Sequence, residues 1–327
     1  MKKKKKQILF LVIFFVCVIG IIAVLIIKNE KSWFPNQYKE NERDDTIVYD
    51  GKKYKYNDHL SNYLFVGIDT REPIKEYENY GNSGQADAVF FVSYDRAKQT
   101  VQCLAIPRDT ITTLHILGPD GTDLGYNQDH LSLQYAFGDG KEESCLLMKE
   151  AVSTMLYGVP ILGYCAINMD GIPATVDVVG DVEVVVPNNS LETVNPEFKE
   201  GATVLITKEN AEQFVRYRDI NVAHSAISRT ERQKVFLKAF LQKTKKDNAD
   251  NKKLIADVYE TLMPYMVTNM ASDVFVNLVQ AKFDSNNGIM DVPGEKVQGT
   301  SFDEFHVDDD QLFELVLRMF YKEVQDD

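Results

Sequence analysis

Four arginines crowd one short stretch, RYRDINVAHSAISRTERQ: Arg216, Arg218, Arg229 and Arg232, with Gln233 closing it. Arginine offers a planar fork of donors matched to phosphate oxygens and keeps its charge at any working pH. Arg216 and Arg218 stand two apart and on a strand would point to the same side. Arg229 and Gln233 stand four apart and on a helix would share a face. Two readings fit the stretch alone: a surface with scattered ion pairs, or a site for an anionic ligand. Such clustering in a chain of formal net charge -13 favours the ligand.

Carboxylates and two further arginines stand at the ends of apolar runs. Asp69 and Arg71 follow YLFVGI, Asp87 precedes AVFFVSY, and Pro107, Arg108, Asp109 and Thr110 follow TVQCLAI. Pro107 ends its run and sets the backbone, so Arg108 and Asp109 are presented at the sheet edge. Ligands of open α/β sheets bind at the carboxyl ends of strands. Asp69 and Asp87 beside arginines suit Mg²⁺, which takes one or two carboxylates plus phosphate oxygens. Asp also favours turns and caps on its own account, and that reading stays open for both residues.

The elements that must position these residues follow in order. Lys2–Lys6 precede Ile8–Ile27, twenty residues without charge, the length a helix needs to cross a bilayer. The lysines predict a cytoplasmic N-terminus and put everything after Lys28 on the far side. The apolar run is longer than a signal-peptide core and no small-residue cleavage pattern follows it, so the anchor is expected to be retained. A polar spacer and a short hairpin with an Asp50-Gly51 turn occupy 28–60.

From 61 to 327 strand-like runs alternate with helical periodicity, predicting one α/β domain with a central mixed sheet flanked by helices. Helices are expected over Glu142–Tyr157, from Lys208 with Thr207 as N-cap, over Thr230–Lys243, and near the C-terminus. The acidic balance argues against nucleic acid as a partner. Cys17 lies in the anchor, and Cys103, Cys145 and Cys165 form an odd set with neither zinc spacing nor a disulfide framework.

Taken together, GIDTR (Gly67–Arg71), Asp87 before its strand, IPRDT (Ile106–Thr110), VRYRD (Val215–Asp219) and RTERQ (Arg229–Gln233) resemble the LytR-CpsA-Psr family in order and spacing. The anchor, DGIPATVDVVGDVEVVVP and the TNMASD…DVPG pattern agree, so the resemblance covers about Tyr63 to Gly294. It implies a membrane-anchored phosphotransferase on the outer face of a Gram-positive-type envelope. Such an enzyme moves a teichoic acid or capsular polysaccharide from a polyprenyl-pyrophosphate carrier to peptidoglycan as a phosphodiester. A long apolar pocket for the polyprenyl tail, with the pyrophosphate at its mouth, is expected with it.

By the same resemblance Arg108, Arg216, Arg218, Arg229 and Gln233 match pyrophosphate-binding positions, with Arg71 as a phosphate neighbour. Asp69 and Asp87 match the aspartates associated with Mg²⁺, and together with Arg108 form the expected catalytic set. The acceptor's base is left among Asp69, Asp87 and Asp109, the last equally a cap or ion partner. Three departures stand out. Ala86-Asp87-Ala88 replaces the common Ser-Asp-Thr, Asp129-His130 the usual Asn-His, and Asn221–Ala226 an acidic, glycine-containing loop; His224 there reads as a solvated loop residue or a ligand contact. Hydrolysis of the same lipid, or a non-catalytic lipid-binding scaffold, are the competing functions.

Overall fold

The computed structural model describes residues 46–71, 73–219, 225–284, 288–299 and 302–324. The expected anchor at Ile8–Ile27 and His224 lie outside them, and no described helix is long and apolar enough to cross a membrane. The chain divides into two compact units, Met1–Lys55 with Asp326–Asp327, and Tyr56–Gln325. In the first, β1 (Thr46–Tyr49) pairs antiparallel with β2 (Lys52–Tyr56). Asp50 (φ 48) and Gly51 (φ 71) turn between them, the left-handed pair that a tight hairpin demands.

The second unit is built on β3 (Leu60–Ile68), β4 (Ala86–Asp95) and β5 (Thr100–Ile106), antiparallel neighbours at the centre of a mixed sheet. A hairpin, β6 (Ile111–Leu117) and β7 (Asp123–His130), leads through a 3₁₀ turn into α1 (Glu142–Met155). Then come β8 (Gly163–Asn168), which runs parallel to β3, and α2 (Gly171–Val179). A second hairpin, β9 (Val182–Val185) and β10 (Thr203–Ile206), precedes α3 (Ala211–Arg216) and the long α4 (Ser225–Asp250). α5 (Leu254–Leu262), β11 (Met266–Thr268), α6 (Ser272–Gln280), β12 (Lys282–Phe283) and β13 (Ile289–Asp291) follow. The chain ends with the hairpin β14 (Gly294–Gln298) and β15 (Asp303–Val307), then α7 (Asp309–Phe320) and β16 (Tyr321–Val324).

The sheet order is β11-β8-β3-β4-β5-β12, with β13 also alongside β5. Both faces are covered, which is why its strands read as continuous apolar runs. On one face Leu64, Val66, Phe91 and Leu104 pack with Met148 and Val152 of α1 and Leu315 and Phe320 of α7. On the other, Phe65, Cys165 and Ile167 meet Leu262 of α5 and Phe275 of α6. Cys103, Cys145 and Cys165 are buried and free.

Two local expectations are corrected. The regular helix α3 begins at Ala211 and not at Lys208; Thr207 caps the turn before it, its Oγ1 accepting from Glu209 N at 3.3 Å while Asn210 Oδ1 accepts from Thr207 N at 2.8 Å. Arg216 and Arg218 do not share a strand, since Arg216 is the last residue of α3 and Tyr217 leaves it in an extended conformation.

Candidate functional site

A break in strand register aims the central carboxylate. Gly67 pairs with Ala88 but Ile68 pairs with Ala86, so Asp87 is one residue more than β3 can match. A bulge of this kind re-aims a side chain, and here it frees Asp87 to meet two arginines. Asp87 Oδ1 accepts from Arg108 Nη1, and Oδ2 accepts from Arg229 Nη1 at 3.1 Å. Asp69 is tied to the foot of β4, donating through its amide to Gln85 O at 3.1 Å while Oδ1 accepts from Gln85 N at 2.6 Å.

Arg108 is held by the turn that Pro107 begins, in which Thr110 N donates to Pro107 O at 3.1 Å. Its Nη2 donates to Gln85 Oε1 at 2.7 Å and Ser132 Oγ at 3.2 Å, and Nε lies 3.2 Å from Asp109 Oδ1 without hydrogen-bond alignment. Burial lowers its pKa, Asp109 opposes that, and Arg229 and Arg218 add to it. Arg229 stands near the start of α4 with its side chain only 5% exposed. Burial first, then Arg218, pull its pKa down to about 10, and its Nε has no hydrogen-bond partner among the described residues. Buried guanidiniums crowded by like charge are relieved by an anion.

Arg216 and Arg218 join from the end of α3. The four arginines 108, 216, 218 and 229 with Asp87, Glu212, Gln213 and Tyr217 line a polar pocket of about 410 Å³. Glu212, unnoticed in the sequence although it stands four residues before Arg216, pairs with Arg216 at 3.1 Å. Arg71 is not in the pocket wall; it bonds Glu212 and, at 3.0 Å, Asp170. Arg218 has no ion-pair partner among the described residues.

Two residues of the motif take other places. Arg232 is fully buried, donating to Phe214 O at 2.7 Å and also to Tyr217 O and Ser190 Oγ. It is a fastener holding the end of α3 to α4, not a ligand contact. Gln233, one turn beyond Arg229, donates to Val215 O at 3.1 Å and faces an adjacent apolar cavity. That cavity, about 540 Å³, lies between the sheet face carrying Phe65, Gly67, Ala88, Phe90 and Cys103 and helices α4 (Phe236, Leu237, Leu241) and α6 (Phe275, Leu278). Gly67 and Ala88, opposite one another, keep its floor clear: a Cβ on Gly67 would come 3.2 Å from that of Ala88. Asp87 and Ala88 are consecutive, as are Arg216 and Val215, so pocket and cavity adjoin.

No group of three or more metal-ligating side chains occurs among the described residues. Asp69 and Asp87 offer hard oxygen donors, with Asp69 Oδ2 uncommitted and both Asp87 oxygens held by arginine. Mg²⁺ takes one or two carboxylates and completes its shell with phosphate oxygens and water. Asp69 can offer it Oδ2 directly, whereas Asp87 would have to exchange an arginine for the ion.

The teichoic acid transferase TagU of Enterococcus faecalis, named for polyisoprenyl-teichoic acid and peptidoglycan, is 28% identical over 315 residues, covering 92% of this chain and 90% of that one. The TagU of Halalkalibacterium halodurans is 29% identical over 182 residues, 55% of this chain and about half (52%) of that relative. The crystal structure of Bacillus subtilis TagV superposes with a TM-score of 0.59 at 23% identity, over 80% of this chain and 96% of that one, and so shares the fold. A model of the LytR_cpsA_psr family matches residues 24–319, nearly the whole chain, and the protein belongs to that family.

Proposed function

We propose that this protein is a phosphotransferase that moves an anionic glycopolymer, of teichoic acid or capsular polysaccharide type, from a polyprenyl-pyrophosphate carrier onto peptidoglycan. One arrangement carries the reading: four arginines around a bulged Asp87, at the edge of an apolar cavity of about 540 Å³. A ligand with an anionic head and an apolar tail suits that pairing, and the names of the TagU relatives supply its class. The expected N-terminal anchor would hold the domain at the outer membrane surface, where such a lipid presents its head.

In the reaction an acceptor hydroxyl oxygen attacks the sugar-bearing phosphorus. The bond to the bridging oxygen breaks, polyprenyl phosphate leaves with the bonding electrons, and the hydroxyl proton passes to a base. Phosphoryl transfer needs charge neutralisation and alignment more than covalent help. Arg229 and Arg108 neutralise the leaving phosphate, and Arg216 and Arg218 fix the head group from the α3 side. Mg²⁺ held by Asp69 and Asp87 would polarise the phosphoryl oxygens. Asp87, held by two arginines, is a poor base, which leaves Asp69 and Asp109 as the candidates.

The test incubates full-length protein in detergent with a labelled polyprenyl-pyrophosphate-linked glycan and peptidoglycan fragments, with Mg²⁺ or with chelator, beside Arg108→Ala. A glycan–peptidoglycan phosphodiester that needs Mg²⁺ and is lost in the variant is the expected result. Polyprenyl phosphate released without a peptidoglycan product would make the protein a hydrolase, and bound lipid with no product a scaffold.

A further inference from the structure

We propose that Lys296 binds the sugar-bearing phosphate of the lipid diphosphate, the one farther from the apolar tail, and so selects diphosphates over monophosphates. The proposal rests on the transferase reading and adds a residue outside its motifs. In the β14–β15 hairpin Lys296 pairs with Phe305, and directly paired residues share a face. Phe305 is buried, so the Lys296 side chain lies on the inner face. The alternation agrees: Lys296 is half-buried while its neighbours Glu295 and Val297 are exposed.

The hairpin is fastened to the arginine site through its backbone. Phe305 N donates to the carbonyl of Asp109, the residue after Arg108, at 2.8 Å, and Thr110 forms a β-bridge with Phe305. The charged groups acting on the ammonium are Asp109 and Asp303, with Arg218 and Arg229 opposing them. Burial lowers its pKa first of all. Lys296 nevertheless has no hydrogen bond or ion pair among the described residues. A half-buried ammonium that neither carboxylate engages, on a hairpin bonded to the turn that carries Arg108, is an unused donor of the kind a phosphate would take.

Its place along the sheet sets which phosphate. The cavity is floored by Val101 and Cys103 of β5 and by Val92, Phe90 and Ala88 of antiparallel β4. Farther along the same direction come Asp87 and Arg108, then Asp109 with the hairpin attached. A tail lying in the cavity puts the first phosphate at Arg108 and Arg229, and the second on the Asp109 side, towards Lys296.

Full-length protein in detergent is titrated with farnesyl diphosphate and farnesyl monophosphate. Lys296→Met is expected to weaken the diphosphate about tenfold, the loss of one charge-assisted hydrogen bond, and to leave the monophosphate unchanged. Lys296→Arg should recover most of the difference. Equal losses on both lipids, or none on either, would overturn the assignment while the transferase reading stands. A wild-type protein that binds neither lipid would bring down both.

Discussion

Arg229 donates to Asp87 at 3.1 Å across 142 positions of sequence, and the same carboxylate accepts from Arg108. Asp87 thus bridges two substantially buried guanidiniums; Arg108 also has Asp109 Oδ1 at 3.2 Å, whereas Asp87 is the carboxylate that Arg229 pairs with among the described residues. Removing that carboxylate strands Arg229 in the interior. Asp87→Ala is expected to cost about 3 kcal/mol of folding free energy, the scale of breaking a buried ion pair. Urea midpoints measure it. Inorganic pyrophosphate should restore part of the loss by binding the folded state only. An unchanged midpoint would contradict the Arg229–Asp87 pairing.

Arg232 makes a separate case, because its three acceptors are the Phe214 and Tyr217 carbonyls and the Ser190 hydroxyl. Arg232→Ala leaves carbonyls at the end of α3 unpaired and is expected to destabilise by roughly 3 kcal/mol. Lysine should rescue little, since one ammonium cannot reproduce a fork spread over three acceptors. Substrate affinity should fall with stability, as Arg216 and Arg218 lose their support. Full affinity in a destabilised Arg232→Ala protein would show that the fastening does not position them.

Ala88 offers a way to separate tail from head. Ala88→Leu puts a branched side chain on the cavity floor, opposite Gly67. Farnesyl monophosphate is expected to bind roughly tenfold more weakly as apolar contact is displaced. Inorganic pyrophosphate should bind as before, and calorimetry of both ligands checks the pair of outcomes. A matching loss on pyrophosphate would mean that the cavity and the arginine pocket are not separable.

Asp95 governs an acid-sensitive turn at the end of β4. Burial raises its carboxyl, but the Lys98 and Ala97 amides donating to Oδ1 at 3.0 and 2.9 Å more than offset this and hold it below its ordinary 3.8. A lowered folded-state value means stability that is complete above 3.8 and lost as pH falls through the folded pKa. Asp95→Asn is therefore expected to be less stable than the parent at neutral pH and to converge on it in acid, once pH has fallen through the lowered folded pKa. Thermal melts across that range decide, and a gap that persists at the acid end would assign the loss to something other than ionisation.

Much of the frame is written locally. The apolar runs of β3, β4 and β5 announce a sheet covered on both faces, Asp50-Gly51 announces a turn, and the residues after Thr230 announce a helix. Two later hairpins, β6–β7 and β14–β15, were not legible. β7, DLGYNQDH, is largely polar, and β14, GEKVQ, has only one side chain turned inwards, so neither shows the alternation by which a strand is read.

The arginines mark the same boundary within the site. Their type and clustering by themselves determined that an anion was the chemistry to expect. Spacing could not say that Arg229 would meet Asp87 while Arg232, three residues on, would be spent on the carbonyls of α3. Nor could it say that a bulge would turn Asp87 towards Arg108, or that Gln233 would face the cavity instead of the pocket. A side chain's task depends on which groups stand within about 3 Å of it, and here those groups come from elements distant in the chain. Only the packing of α3, α4 and the start of β4 against one another decides that.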